Sequence, residues 1–380
     1  MNGAVGFGVF SLDGDAPRVG FRAGHGVLDL AANGLHPELA EPILNPFLAL
    51  GRAAWEETVA RVVELIEGGR DVLPLEETTV HLPFQVADYV DFYSSLEHAS
   101  NLGSLFRPDS EPLLPNWRHL PVGYHGRAGT VVVSGSPVVR PSGQSKAPDD
   151  PVPRFGPSRR LDIELELGFV VGVPSALGTA VPASAFRDHV FGVVLVNDWS
   201  ARDLQAWEYQ PLGPFLGKSF ATSISGWITP LALLEDRFVA SPPQDPEPLP
   251  HLRVEGDWAL DIELEVELSD NVVSRTNARG LYWTMPQQLA HATSNGASLR
   301  TGDLFASGTI SGPDRGSEGS LIELTRNGAH PIRLGDGSTR EFLEDGDQVV
   351  LRGRAGDVEL GEVRGTILPA AYVAGKSPAR

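Results

Sequence analysis

The sequence predicts a mostly β protein, with a small N-terminal domain over residues 1–118 and a large β domain over residues 119–380. Two observations support this fold class. After a stretch rich in proline and polar residues at 107–121, strand-like runs alternate with Gly, Pro and Asp turns, and no regular succession of helix and strand signals occurs. Only residues 48–69 show a strong helical pattern. We therefore expect few helices.

The N-terminal part is predicted from its turns and its one helix. Roughly the first forty residues read as short strands between Gly and Asp turns. In residues 48–69 the apolar side chains recur at helical spacing, and the pair Gly68-Gly69 ends the pattern. These apolar side chains are Trp55, Val59, Val62, Val63 and Ile66.

The large domain is predicted from strand-like runs. These are TVVVSGSPVVR, LDIELELGFVVGV, FGVVLVNDWS, LDIELEVELS and QVVLRGR. A proline-rich surface loop at 241–250 interrupts them, and residues 282–296 favour one short helix although Pro286 lies within it. No repeat of 20–50 residues occurs in the sequence, so a repeat architecture is excluded.

Composition limits the partners of the chain. Thirty basic residues against 49 acidic ones give a formal net charge of −19, which repels nucleic-acid phosphates and anionic membrane surfaces. The absence of cysteine excludes disulfides, thiolate chemistry and a Cys-ligated zinc. Apolar runs such as 191–196 are far too short to span a bilayer, and the start of the chain lacks a basic leader region. We expect a cytoplasmic protein without nucleic-acid or membrane partners.

Two nearly identical acidic strings raise the question of a metal site. LDIELELG occupies 161–168 and LDIELEVE occupies 260–267. On a strand, alternate residues share one face, so each string would present a row of carboxylates. The rows are Asp162, Glu164 and Glu166 in the first copy and Asp261, Glu263, Glu265 and Glu267 in the second. Alternation alone leaves open whether either row binds a divalent ion or faces solvent.

Known hydrolase and nucleotide-binding signatures are missing: the chain has no G-x-S-x-G elbow, no H-E-x-x-H helix and no phosphate-binding G-x-x-x-x-G-K-[ST] loop. Instead, three segments are unusually dense in polar and aromatic residues. They are 88–108, with Asp91, Tyr93, His98 and Arg107; 196–223, with Asp198, Arg202, Gln205 and Lys218; and the Gly- and Ser-rich turn 301–313. Each residue alone fits a structural or surface role, but together they indicate a site.

These segments resemble the fumarylacetoacetase (fumarylacetoacetate hydrolase) family. The matching strings are DFYSSLEHA, LLPNWRHLPVGYHGR, NDWSARDLQAWEYQPLGPFLGKSF and FASGTISG, and the resemblance runs from about residue 85 to the C-terminus. It implies a small N-terminal SH3-like barrel domain followed by a large mixed β-roll/β-sandwich catalytic domain. It also implies a homodimer and a Ca²⁺ or Mg²⁺ cofactor.

The resemblance selects the first acidic copy as the metal site. It implies that four carboxylates bind the ion, and that two further residues lie near a second, magnesium-type ion. The carboxylates are Asp91, Glu164, Glu166 and Asp198, and the two further metal-site residues are Lys218 and Thr222. Carboxylate ligands suit a hard divalent cation. The second copy has no such role in the family, so Glu263 and Glu265 are expected to face solvent.

The resemblance also implies the catalytic residues. His98 would be the general base that activates water, and Glu323, in the string GSLIEL, would orient it. Arg202, Gln205 and Lys218 would surround the substrate carbonyl. Substrate contacts would come from Tyr93, Arg107, Gln205, Tyr209 and Thr309. Among these, the Arg107 guanidinium matches a substrate carboxylate in two-point geometry.

The implied reaction is hydrolysis of the carbon–carbon bond of fumarylacetoacetate to fumarate and acetoacetate, the final step of tyrosine and phenylalanine catabolism. Two alternatives remain. One is a relative in the same superfamily that hydrolyses acylpyruvates or decarboxylates oxaloacetate with the same carboxylates. The other is a non-catalytic calcium-binding β module, which would have no need of His98, Glu323 or Lys218.

Overall fold

A computed structural model describes residues 3–371 and confirms that the protein is mostly β. The strands are β1 Ala4–Ser11, β2 Arg18–Ala23, β3 Gly26–Asp29, β4 Leu73–Pro74, β5 Thr79–His81, β6 Tyr89–Phe92, β7 Gly123–His125, β8 Val131–Val133, β9 Val138–Val139, β10 Ser142–Ser145, β11 Arg154–Pro157, β12 Leu161–Asp162, β13 Leu165–Val171, β14 Val190–Asn197, β15 Ser200–Ala201, β16 Thr222–Ile224, β17 Trp227–Pro230, β18 Phe238–Val239, β19 Ala259–Leu260, β20 Glu263–Leu268, β21 Asn271–Asn277, β22 Leu304–Ala306, β23 Ile332–Arg333, β24 Thr339–Arg340, β25 Gln348–Ala355 and β26 Val358–Leu368.

The α-helices of the described residues are fewer than the strands. The α-helices are α1 Asn45–Leu48, α2 Arg52–Glu67, α3 Leu96–Phe106, α4 Phe186–His189, α5 Arg202–Glu208, α6 Met285–Thr293 and α7 Leu321–Leu324. Short 3₁₀ helices occupy Pro37–Ala40, Leu75–Glu77, Ala128–Thr130, Ala183–Ala185, Leu231–Leu233, Glu235–Arg237, Pro250–Leu252 and Ala278–Gly280. None of the helices within residues 3–371 combines the length and the apolarity needed to cross a membrane.

One set of paired strands, which we call the site sheet, carries the first acidic copy. Its order is β7, β6, β22, β13, β14, β16, β8, and the pairs β6–β22 and β16–β8 are parallel while the others are antiparallel. In this register Asp91 lies opposite Ala306, and Asn197 lies opposite both Leu165 and Ser223. The strand ends that carry these residues therefore lie side by side at one end of the sheet.

A second set, the outer sheet, carries the second acidic copy. Its order is β21, β20, β25, β26, and β26 continues to β1 of the N-terminal strands. One hydrophobic core joins the two sheets, because the apolar side chains of both acidic copies belong to it. They are Leu161, Ile163, Leu165 and Leu167 from the first copy and Leu260, Ile262, Leu264, Val266 and Leu268 from the second. The acidic side chains of both copies consequently point away from a shared core.

A second core lies on the other face of the site sheet and fixes the N-terminal part. Phe191 of β14 contacts the rings of Phe7, Phe47 and Trp55 at centroid distances of 5.4, 5.9 and 5.5 Å. The helix predicted at 48–69 is confirmed as α2, with Trp55 buried. The division at residue 118 and the SH3-like character of the N-terminal domain remain predictions.

The first acidic copy is not the single alternating strand that its pattern predicts. It is divided between β12 and β13, and Ile163 and Glu164 belong to neither. At the break the backbone N–H of Glu164 donates to Asn197 Oδ1 at 3.1 Å, and the backbone N–H of Asp198 donates to the Glu164 carbonyl at 3.3 Å. A side-chain amide thus replaces part of the strand ladder, and Asp162 and Glu164 both pair with Arg202 from the two sides of the break.

Two other helices show how the sequence pattern relates to the fold. The short helix expected at 282–296 is α6, in which Pro286 occupies the first turn, where a backbone N–H is not required. A capping box between Thr284 and Gln287 starts this helix. In contrast, α3 was not predicted from its pattern, because its buried face carries His98, Ala99 and Gly103 beside Leu102 instead of a full apolar stripe.

Candidate active site

A cavity of about 580 Å³ opens at the end of the site sheet where these strand ends lie side by side. A cavity of this size is suited to a small molecule. Ten of the sequence-predicted site residues line it: Asp91, Tyr93, His98, Arg107, Glu164, Arg202, Gln205, Tyr209, Lys218 and Thr309. The structure thus brings together residues from β6, α3, the break before β13, α5, the loop between α5 and β16, and the turn after β22.

The other four predicted residues lie behind the cavity wall and contact residues that line it or one another. Glu323 pairs with His98, and Asp198 pairs with Lys218. Thr222 Oγ1 donates to Asp198 Oδ1 at 2.9 Å. Glu166 Oε2 accepts from the backbone N–H of Gly308 at 3.2 Å. Every predicted site residue therefore belongs to one connected region.

The close approach to Glu166 depends on a glycine. Gly308 follows β22 and has φ of +76°, a left-handed conformation that glycine adopts without a steric penalty. A Cβ at this position would lie 2.1 Å from the carbonyl oxygen of Phe92, so no larger residue fits. The Gly- and Ser-rich turn therefore brings its backbone N–H against a buried carboxylate.

Four buried carboxylates form the centre of the site. One oxygen from each of Asp91, Glu164, Glu166 and Asp198 lies within 4.8 Å of the others. Asp91 Oδ1 and Glu166 Oε1 accept no hydrogen bond from any group in residues 3–371. Burial raises the pKa of both Asp91 and Glu166, and repulsion from Asp198 and neighbouring carboxylates raises these pKa values further.

The chemistry of this cluster fits a hard divalent cation. All its donors are carboxylate oxygens, two of them are unpartnered among the described residues, and concentrated buried negative charge is stabilised by a bound cation. His and Cys do not take part in the cluster, which disfavours a zinc site. The cluster is therefore a candidate metal centre.

Two side-chain cations lie beside the carboxylates. The Lys218 ammonium donates to Asp198 Oδ2 at 2.7 Å and to Glu164 Oε2, and Arg202 Nη1 pairs with Glu164 Oε1 at 2.7 Å. Burial opposes ionisation of Glu164, but Lys218 and Arg202 outweigh it and lower the pKa of Glu164 to about 2. Burial also opposes the charge on Lys218, but Asp198 and Glu164 raise the Lys218 pKa. Because an ammonium has no free lone pair, Lys218 would neighbour a second ion without binding it through Nζ.

A histidine–carboxylate pair lies at the cavity wall. His98 Nδ1 is 2.6 Å from Glu323 Oε2, and both side chains are almost completely buried. Burial opposes ionisation of Glu323, but His98 and donors from Ser320 and Asn101 lower its pKa, so that the carboxylate is charged. With Nδ1 bound to Glu323, the His98 Nε2 lone pair is the one available to accept a proton.

The donors around the cavity retain hydrogen-bonding capacity. Arg202 Nη2, Thr309 Oγ1 and Arg107 Nε have no hydrogen-bond partner in the described part of the chain. Arg107 Nη2 donates to the Pro112 carbonyl at 2.7 Å, and Arg202 Nη1 is 3.3 Å from Gln205 Oε1. Buried donors without partners are costly, so these groups are suited to a ligand that would accept their hydrogen bonds.

Several residues that contact the site had no role predicted from the sequence. Tyr124, in the recognised string VGYHGR, lines the cavity and donates from its hydroxyl to Asp198 Oδ2 at 2.9 Å. Asn101 and Ser320 donate to Glu323 at 2.9 and 2.6 Å. Asp162 belongs to the acidic row, and its buried carboxylate pairs with Arg202. Of these residues only Tyr124 lies in a matched string. The partners of Tyr124, Asn101 and Asp162 are remote in sequence, so local pattern gave no signal for these contacts.

The second acidic copy has a different environment. It borders a larger groove of about 910 Å³, in which Glu263 is exposed and Glu265 pairs with Arg275 and Arg352 at 2.9 and 3.5 Å. Within residues 3–371 its acids take part in no cluster able to hold a metal. The expectation that Glu263 and Glu265 face solvent is confirmed, with Glu265 only partly exposed.

A β fold with buried carboxylates beside a histidine–glutamate pair defines a class of candidate metal-dependent hydrolases. Residues 88–368 match the family model described as fumarylacetoacetate (FAA) hydrolase C-terminal. The chain belongs to the fumarylacetoacetate hydrolase family, as the sequence resemblance predicted, and it is a hydrolase. It is 47% identical to fumarylacetoacetase of Caenorhabditis elegans and 46% identical to that of Homo sapiens, covering 96% of this chain and 95% of each relative.

Solved structures show the same fold at low identity. Maleylpyruvate hydrolase from Sphingobium sp. SYK-6 aligns with a TM-score of 0.56 and 16% identity, covering 96% of this chain and 100% of that one. Fumarylacetoacetate hydrolase from psychrophilic Exiguobacterium antarcticum aligns with a TM-score of 0.55 and 16% identity, covering 96% and 99%. At this identity the likeness concerns the fold alone.

Proposed function

We propose that the chain catalyses metal-dependent hydrolysis of the carbon–carbon bond of fumarylacetoacetate, giving fumarate and acetoacetate. The observation that carries this proposal is that the His98–Glu323 pair and the four-carboxylate cluster adjoin one cavity. Fumarylacetoacetases from animals and plants match the chain at 44–47% identity over 96% of its length, which supports this substrate over other members of the family. The reaction would be the final step of tyrosine and phenylalanine catabolism.

His98 is the general base in this proposal. Its Nε2 takes a proton from water, which adds to the ketone carbon next to the fumaryl double bond. Glu323, at 2.6 Å from Nδ1, holds the imidazole in the required tautomer and stabilises the imidazolium that forms. The donors from Asn101 and Ser320 keep Glu323 charged and oriented. A general base of this kind contributes about 100-fold to 10,000-fold to the rate.

Arg202, Gln205 and Lys218 stabilise the oxyanion that develops at the attacked carbonyl. Arg202 is held rigidly by buried carboxylates and keeps Nη2 without a partner in the described chain. Preorganised donors of this kind are worth roughly 3 kcal/mol each as charge develops. When the carbon–carbon bond breaks, its electrons pass to the departing acetoacetate carbon, which then takes up a proton.

Arg107, Tyr93, Tyr209 and Thr309 bind the substrate. The free Nε of Arg107 and its position at the cavity wall suit a substrate carboxylate. A local cation is needed there, because the net charge of −19 otherwise repels a dianionic substrate. The free hydroxyl of Thr309 provides a further donor.

Asp91, Glu164, Glu166 and Asp198 hold a Ca²⁺ or Mg²⁺ ion in this proposal, and Lys218 and Thr222 lie near a second, magnesium-type ion. When bound, the cation supplies Lewis-acid polarisation of the diketone oxygens and a template for the substrate. Oxygen-only ligation by buried carboxylates supports a hard cation of this type. We further propose a cytoplasmic homodimer with an N-terminal domain over residues 1–118 and a catalytic domain over residues 119–380.

Incubation of the purified protein with fumarylacetoacetate tests this function. We expect loss of the substrate absorbance and formation of fumarate and acetoacetate in equal amounts, with no reaction after chelation and recovery on addition of Ca²⁺ or Mg²⁺. Acylpyruvates and oxaloacetate serve as competing substrates. Faster turnover of either would favour the alternative relative of the same superfamily, and no turnover of any of them would favour the calcium-binding module.

A further inference from the structure

Asp162 is a buried carboxylate that the proposed mechanism does not use. It ends β12, immediately before the break in the first acidic copy, and its side chain is fully buried. It does not belong to the four-carboxylate cluster. A buried charge of this kind must be balanced by specific partners.

The partners of Asp162 come from three parts of the site. Its Oδ2 accepts from Arg202 Nε at 2.8 Å and from the backbone N–H of Ile322 at 3.1 Å. Its Oδ1 accepts from the backbone N–H of Leu321 at 2.7 Å and of Ile163 at 2.8 Å. Leu321 and Ile322 begin α7, which carries Glu323. One carboxylate therefore contacts α5, α7 and the residue before Glu164.

These contacts determine how Arg202 faces the cavity. Asp162 holds Nε and Glu164 holds Nη1, so two edges of the planar guanidinium are fixed by carboxylates. The remaining nitrogen, Nη2, has no partner among the described residues. Asp162 also ties the first turn of α7, one residue before Glu323, to the strand that bears the carboxylates.

We infer that Asp162 is a positioning residue that fixes the guanidinium of Arg202 relative to the carboxylates of the first acidic copy, with the first turn of α7 as its anchor. This inference rests on the proposed function, because it concerns the geometry of that reaction. All four groups around Asp162 are donors, and only an ionised carboxylate can accept from all of them. An asparagine would place its NH₂ group against donors to one of the two oxygens and would lose the hydrogen bonds that this oxygen accepts.

The second acidic copy supplies a matched control. Asp261 occupies the equivalent place in the string LDIELE, but it is only partly buried and accepts from Asn277 Nδ2 at 2.7 Å. Asp162→Asn and Asp261→Asn therefore make the same chemical change in the same local sequence. Only the first change should affect catalysis.

The test is a double-mutant cycle on the metal-loaded enzyme with fumarylacetoacetate as substrate. We expect Asp162→Asn to lower kcat by about 100-fold, the effect of losing one preorganised donor, with KM and Ca²⁺ affinity by calorimetry within about threefold of wild type. Asp261→Asn should stay within about twofold. Because Asp162 acts through Arg202, Asp162→Asn should lower the kcat of an Arg202→Lys enzyme by no more than about threefold.

These measurements distinguish failure of the proposed function from failure of the inference about Asp162. If wild type does not convert fumarylacetoacetate, the proposed function fails and the inference fails with it. If wild type is active and Asp162→Asn is equally active, or if its effect multiplies fully with that of Arg202→Lys, only the inference is overturned. Should Asp162→Asn fail to fold, Asp162→Glu keeps the charge but displaces Arg202. We then expect kcat to fall about tenfold with unchanged Ca²⁺ affinity, and an unchanged kcat would overturn the inference.

Discussion

The two LDIELE strings have the same residues, and their apolar side chains pack in the same core, yet their acids have opposite surroundings. In the first copy Glu164 and Glu166 are buried, and two cations and the ends of other strands surround them. In the second copy Glu263 is exposed, and Glu265 makes partly exposed ion pairs on the outer sheet. Local sequence therefore directs the acids away from the core, and remote segments determine what they meet.

The remote segments that distinguish the first copy are the polar ones. Helices α3 and α5 and the turn around Gly308 cover its acidic side, whereas arginines of β21 and β25 border the second copy. The larger cavity lies at the second copy, so volume alone would not select the region that holds the four-carboxylate cluster. The charge and burial of the carboxylates, not the size of the neighbouring space, distinguish the candidate metal site.

The largest predicted difference between the surroundings of the two acidic copies is in turnover, and it follows from removing His98, the proposed general base. We expect His98→Ala to lower turnover by about 100-fold to 10,000-fold while Ca²⁺ affinity stays near wild type, because His98 adjoins the first copy without belonging to its carboxylate cluster. Steady-state kinetics and calorimetry measure this. His291→Ala, which removes a partly buried histidine outside the cavity, is the control. Normal turnover by a folded His98→Ala enzyme would eliminate His98 as the base.

The next largest predicted difference between the two acidic copies is their contribution to metal affinity. Glu166→Gln should weaken Ca²⁺ or Mg²⁺ binding by at least about 100-fold, the upper end of the effect of groups that only support a ligand. Glu265→Gln should leave affinity within about twofold, because its carboxylate pairs with arginines at the outer sheet. Titration calorimetry of the metal-free proteins checks both. Stronger dependence on Glu265 than on Glu166 would reverse the assignment of the two copies.

The two acidic copies should also differ in how much their glutamates contribute to the stability of the metal-free protein. Glu164→Ala leaves Lys218 and Arg202 without one of their buried partners, so we expect the free energy of unfolding to fall by about 3–5 kcal/mol. Glu265→Ala breaks only partly exposed pairs and should cost less than about 1 kcal/mol. Urea unfolding in the presence of a chelator measures the two values. Equal losses would show that burial does not distinguish the copies energetically.

The smallest predicted effect concerns substrate recognition at the cavity wall. Arg107→Lys should raise the KM for fumarylacetoacetate by about tenfold and change kcat less, because a lysine cannot form the two-point contact with a carboxylate. A substrate analogue lacking that carboxylate should be affected much less. Arg352→Lys, at the groove of the second copy, is the matched control. A common loss for both substrates would instead indicate a structural role for Arg107.

The sequence predicted the β character, α2 and α6, because these depend on local periodicity and turn residues, whereas the solvent exposure of the second acidic row was expected from the family resemblance. It did not reveal α3, whose inward face carries His98 and Gly103 to form the site. It also did not reveal the break that separates Asp162 from Glu164, since Asn197 supplies the competing hydrogen bond from a distant strand. Site membership came from family resemblance, and the connections among those residues came from tertiary contacts.

The distance along the chain between His98 and Glu323, 225 positions, has a consequence for biosynthesis. At a translation rate of roughly 5–20 residues per second, Glu323 follows His98 out of the ribosome after roughly 10–45 seconds. All four carboxylates of the cluster are synthesised before Glu323, the last of them at position 198. A nascent chain thus contains the whole carboxylate cluster well before His98 can pair with Glu323. A message truncated ahead of codon 323 would encode a chain with the four carboxylates and His98 but without the carboxylate that pairs with His98.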